Sequence, residues 1–198
     1  MQILTEKLFS PLSYSQYLEL FAEEKILKMP GHLQDYTRLN AQRMHRWEKT
    51  YEPSLETRKL LATNSNIRHV FIITEPWCGD AAHCIPAIQK LLSLTPDVSS
   101  PRYILRDTNI EVMDMYLTNG KRSIPILILT DSQFHVLGQW GPRPAPSQVL
   151  VDQARQDDDG SGKWKEKLQI WYNQSKQIHL ESELLELIRK CNAISKNC

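Results

Sequence analysis

The chain has 198 residues with 24 Lys+Arg against 23 Asp+Glu, so no global charge draws it to nucleic acid or to an anionic membrane. At 41% apolar and 24% charged residues it carries enough apolar side chains for a core, which argues against disorder and for one compact domain with helical additions. Seven glycines are about half the usual share of roughly 7%, which favours helices over a glycine-rich barrel.

The opening segment MQILTEKLFSPLSYSQ is interrupted by Glu6 and Lys7 and lacks a small-residue cleavage site, so it does not read as a signal peptide. No stretch approaches the roughly 20 apolar residues that a bilayer span requires. Cys78, Cys84, Cys191 and Cys198 are too few and too uneven for a disulfide scaffold, which predicts reduced thiols and a cytoplasmic protein.

Residues 13–62 carry apolar positions at helical spacing (Tyr17, Leu20, Phe21; Leu33, Tyr36, Leu39, Met44, Trp47, Tyr51), broken at Met29-Pro30-Gly31 into two helices. Short β-branched runs then predict strands at 67–74, 101–106, 125–130 and 134–140, with a helix near 79–93 after the first and another helical segment after the second. The order β, α, β, α, β, β implies a mixed sheet with helices on its faces. After the proline-rich 141–146 the pattern is helical to the end. Asp157-Asp158-Asp159-Gly160-Ser161-Gly162 imitates the start of a calcium loop, but Leu168 stands where the bidentate Glu belongs, so it reads as a turn. Trp164, Leu168 and Trp171 form one apolar helix face beside solvated lysines, a packing pattern and not a nucleic-acid one.

One locus carries chemistry. Cys78 follows a buried strand and opens a helix, where unpaired N–H groups stabilise a thiolate, while the carboxylate of Asp80 works against it. His83, three residues after Asp80, shares its helix face and reads as its charge partner. Cys84 lies six residues from Cys78, about 9 Å of rise and 240° of rotation on an intact helix, which precludes a disulfide between them. It reads as a small buried hydrophobe, with a resolving thiol after local unwinding as the alternative. Cys191 and Cys198 read as tail thiols or a surface pair. No ligand set for a metal converges on Cys78.

Trp77-Cys78-Gly79-Asp80 ahead of the helix, Pro86 within it, Ile124-Pro125 opening the third strand and Gly138 in the fourth together resemble the thioredoxin-like superfamily. Within it the chain is similar to the bacterial group with a WCGD core that lacks the second active-site cysteine. The resemblance implies a three-layer α/β sandwich with core about 66–141, a helical N-terminal extension 1–65, a helical C-terminal extension 142–198, and a cis Ile124–Pro125 bond facing Cys78. Ala81 occupies the position of the family's second cysteine and Ile72 that of its buried acid, so direct dithiol exchange is lost. The expectation is a monothiol disulfide oxidoreductase with Cys78 as nucleophile and Trp77, Gly79, Asp80, Ile124 and Pro125 shaping the substrate groove. It needs no bound cofactor, uses a small thiol such as glutathione as co-substrate, and has protein or small-molecule thiols and disulfides as partners, with neither nucleic acid nor membrane among them. The alternative is a non-catalytic binding or adaptor module using the same groove.

Overall fold

The computed structural model describes residues 10–63, 65–156, 160 and 162–194. Four helices come first: α1 (Tyr14–Glu19), α2 (Glu23–Ile26), α3 (Gly31–Thr50) and α4 (Leu55–Leu61). Ser13 starts α1 through a capping box, its hydroxyl accepting from the Gln16 N–H while the Gln16 side chain accepts from the Ser13 N–H at 2.8 Å, which satisfies two otherwise orphaned donors. The break at Met29-Pro30-Gly31 falls between α2 and α3, and the region forms four helical pieces, not two.

The core follows as β1 (His69–Thr74), α5 (Gly79–Leu92), β2 (Arg102–Leu105), α6 (Ile110–Asp114), β3 (Ile126–Thr130) and β4 (Val136–Trp140). The sheet order is β2-β1-β3-β4. β1 runs parallel to β2 with Ile72 opposite Tyr103, antiparallel to β3 with Ile72 opposite Leu127, and β3 is antiparallel to β4. β1 lies between two neighbours and is buried from Val70 to Thr74, as its unbroken apolar run requires of a strand covered on both faces. Each strand lies inside its expected range, shorter by one or two residues.

Helices α7 (Ala145–Gln156), α8 (Lys163–Ser175) and α9 (Ile178–Ile194) complete the chain. α9 packs against β4 and α5. Gly138 admits it: a Cβ there would sit 2.7 Å from Leu187 Cδ1 and 3.0 Å from Cys191 Sγ. Cys191 is therefore fully buried, not the surface thiol expected, because the apolar face of α9 turns it to the sheet. Cys198 and most of 157–162 lie outside the described residues. Gly141 joins the extension to the core with φ +130°, and a Cβ there would fall 2.1 Å from Pro125 O, so only glycine lets the two backbones meet. Trp164 and Trp171 pack on the core beside buried Leu168, as the spacing predicts. No helix among the described residues is long and apolar enough to cross a membrane.

Candidate functional site

The segment Glu75-Pro76-Trp77-Cys78 leaves the end of β1 and is held from three sides. The Cys78 N–H donates to Glu75 O at 3.1 Å, the Tyr17 hydroxyl donates to Glu75 O at 3.4 Å, and the Asn40 side chain of α3 donates to Pro76 O at 2.9 Å. Cys78 then takes the N-cap position of α5 with extended dihedrals and no side-chain cap bond. The Ile124–Pro125 peptide is cis, and the Cys78 Sγ–H donates to Ile124 O at 3.4 Å.

Trp77, Cys78, Gly79, Asp80 and Ile124 line one cavity of about 550 Å³. Pro125 does not reach the cavity wall; its carbonyl backs onto Gly141. Cys84 is fully buried, one turn of α5 below Asp80, its sulfur 3.7 Å from the same Tyr172 hydroxyl that bonds Asp80. Cys78 and Cys84 are both free thiols, as an intact α5 requires.

The thiolate expectation at the helix start is reversed. Cys78 is only 7% exposed, and burial first, then the Asp80 charge, push its thiol up to about 12, against the weaker pull of the Ala81 and Asp80 N–H groups. Desolvation of a sulfur anion outweighs the helix-terminal field here. Cys78 is a protonated thiol at neutral pH.

Asp80 and His83 do not pair. Asp80 accepts from Arg143 at 2.6 and 3.1 Å and from the Tyr172 hydroxyl at 2.7 Å, so the acid of the first turn of α5 anchors the C-terminal extension. His83 is 2% exposed. It stacks on Tyr172 at 4.2 Å, accepts from Trp47 Nε1 at its Nδ1 (2.9 Å), and donates from Nε2 to Gln169 at 3.0 Å. Those partners leave it no second donor role, and burial lowers its pKa to about 3. The neighbour selected by helix spacing loses to aromatic partners from α3 and α8.

Glu75 escapes the sequence reading, which finds no acid behind the cysteine. It lies just past β1, 6% exposed, with its carboxylate accepting from the Asp107 N–H at 2.7 Å. Burial raises its pKa to about 7, the Asp107 N–H opposing. The folded state therefore keeps a proton on Glu75 that the unfolded chain releases above about 4.3, so stability falls as pH rises towards 7. For His83 the unfolded chain takes up a proton below about 6.5 that the folded one refuses, so stability falls as pH drops towards 3. Between about pH 4.5 and 6.5 the two slopes, each about 1.4 kcal/mol per unit, oppose and cancel. The urea midpoint is expected to be nearly flat there in the natural protein and to rise with pH in Glu75→Gln; an equally flat variant would refute the assignment.

Arg43 of α3 is also hidden in the sequence. The apolar stripe places Tyr36 and Leu39 inward, yet both are exposed, and the inward positions are Thr37, Asn40, Met44 and Trp47. Asn40 and Arg43 stand three apart, Arg43 Nη1 donating to Asn40 Oδ1 at 2.8 Å, and that i, i+3 spacing is the signal the sequence offers for them.

A parallel β1/β2 pair, antiparallel β3 and β4, a cysteine at the start of α5 and a cis-proline loop against its sulfur define a thioredoxin fold. The sequence profile of a family described as Thioredoxin matches residues 26–155, and the chain belongs to that family. The match takes in α3 and α7 as well as the sheet. Among solved structures the chain is similar to a protein of unknown function from Pseudomonas aeruginosa (18% identity, TM-score 0.54) and to an HIV epitope-scaffold (19%, 0.53), each match covering 90% of this chain and 98% of the other. These likenesses bear on fold alone. No curated protein matches.

Proposed function

We propose that the protein carries out monothiol disulfide exchange through Cys78 in the cytoplasm, with a small thiol such as glutathione as co-substrate. The observation that supports this reading is the meeting of the Cys78 sulfur and the Ile124 carbonyl at the wall of the cavity, with Ala81 where a resolving thiol would stand and Cys84 fully buried against Tyr172. Cys78, deprotonated on attack, forms a bond to one sulfur of a disulfide. The S–S bond breaks, and the departing sulfur takes a proton and leaves as a thiol. A small thiol then attacks the mixed disulfide, restores Cys78 and departs in a new disulfide.

Incubation of the reduced protein with oxidised glutathione at mildly alkaline pH is expected to give one glutathione adduct by intact mass, absent in Cys78→Ser and retained in Cys84→Ser. Added glutathione is expected to remove it. A protein that never acquires the adduct has no exchange activity. The burial of Cys78 favours a second reading, a groove that binds without turnover, and that outcome would leave it standing.

A further inference from the structure

The chain as a whole is almost neutral, yet the cavity beside Cys78 is not. Arg43, Arg106, Arg122, Arg143, Arg155 and Lys165 all line it, and Asp80 is its single carboxylate among the described residues. Asp80, Asp107 and Asp114 pair with Arg143, Arg106 and Arg122. Arg43, Arg155 and Lys165 have no carboxylate partner among the described residues: Arg43 Nε is buried without a hydrogen bond, Arg155 lies over the Trp164 ring at 4.3 Å, and Lys165 donates to the Tyr36 hydroxyl at 3.1 Å. Unmatched guanidinium and ammonium groups around one partly enclosed space repel each other, and an incoming anion relieves that repulsion.

The walls between the charges are aromatic. Trp77 carries Arg106 on its face at 4.7 Å, and Tyr36, Trp164 and Tyr172 complete the lining. A cavity of about 550 Å³ holds a molecule of tripeptide or mononucleotide size. We infer that this cavity is a binding site for a small organic polyanion bearing two or more carboxylate or phosphate groups, held by Arg43 and its cationic neighbours beside Cys78. The inference deepens the exchange reading by naming the charge class of the small thiol, and the same ligand would occupy a groove without turnover.

The test uses the full chain with Cys78→Ser, so that no mixed disulfide contributes, and titrates three thiol-free probes by calorimetry. S-methylglutathione supplies carboxylates, adenosine 3′,5′-bisphosphate supplies phosphates, and S-methylglutathione dimethyl ester supplies neither. At least one anion is expected to bind about tenfold or more tightly than the diester, with affinity falling as salt rises, and Arg43→Gln or Arg106→Gln to lose about tenfold, as loss of a charge-assisted hydrogen bond does. The tighter of the two anions identifies the source of the charge. Anions that bind no better than the diester would overturn the inference, even if variants at Arg43 fail to fold. Selective binding in a protein that never forms the glutathione adduct would retire the exchange reading and leave this one intact.

Discussion

Iodoacetamide is expected to alkylate Cys78 at pH 7 about three orders of magnitude more slowly than an ordinary thiol of pKa near 8.5, because a thiol titrating at about 12 is ionised to only about one part in 100,000. The sign is set by burial: the raised pKa keeps the proton on sulfur throughout the physiological range. The rate should climb about tenfold per pH unit with no plateau near 8.5. Asp80→Asn removes the nearby negative charge and should accelerate the reaction at every pH below the new pKa. Intact-mass kinetics of the natural protein and the variant, with the denatured chain as reference, decide it. A plateau near pH 8.5 would mean that the sulfur is neither desolvated nor under the influence of Asp80.

Asp80→Ala is expected to cost about 3–5 kcal/mol of folding stability, the range for removing one partner of a buried ion pair. The Arg143 side chain is 13% exposed and Tyr172 only 1%, so the substitution leaves a buried charge with only the neutral Gln148 oxygen and a buried hydroxyl with only the Cys84 sulfur in place of the carboxylate. That is a large fraction of the roughly 5–15 kcal/mol a domain has in total. Asp80→Asn keeps an acceptor oxygen for Tyr172 and should cost less. Combining Asp80→Ala with Arg143→Met should recover part of the loss, since the orphaned charge disappears with its partner. Urea denaturation of the four proteins measures each difference. An Asp80→Ala chain within about 1 kcal/mol of the natural one would show the pair to be solvent-screened.

Local chemistry is legible in the sequence, and long-range burial is not. The β-branched runs, the proline breaks and Ile124-Pro125 report on the backbone within a few residues, so the four strands, α5 and the place of Cys78 at its start can be read directly. The partners of Asp80 cannot. Arg143 and Tyr172 lie 63 and 92 residues away, and helix spacing offers His83 instead, which Tyr172 and Trp47 claim by stacking and hydrogen bonding. The inward face of α3 is misjudged for a related reason: Thr37 and Asn40 are polar, and only the nearby Pro76 carbonyl and Arg43 make Asn40 an inside residue. The sign of the Cys78 shift likewise depends on how many atoms surround the sulfur, a property of the whole fold.

Because Asp80 is held by Arg143 and Tyr172, the four residues Trp77-Cys78-Gly79-Asp80 are not a portable cassette. Grafted into a thioredoxin scaffold that ends at its last strand, they would present a bare carboxylate beside the thiol, without the guanidinium that offsets it or the hydroxyl that orients it. Two proteins that spell this tetrapeptide alike can therefore have thiols of very different reactivity, according to whether helices beyond the sheet return to hold the acid.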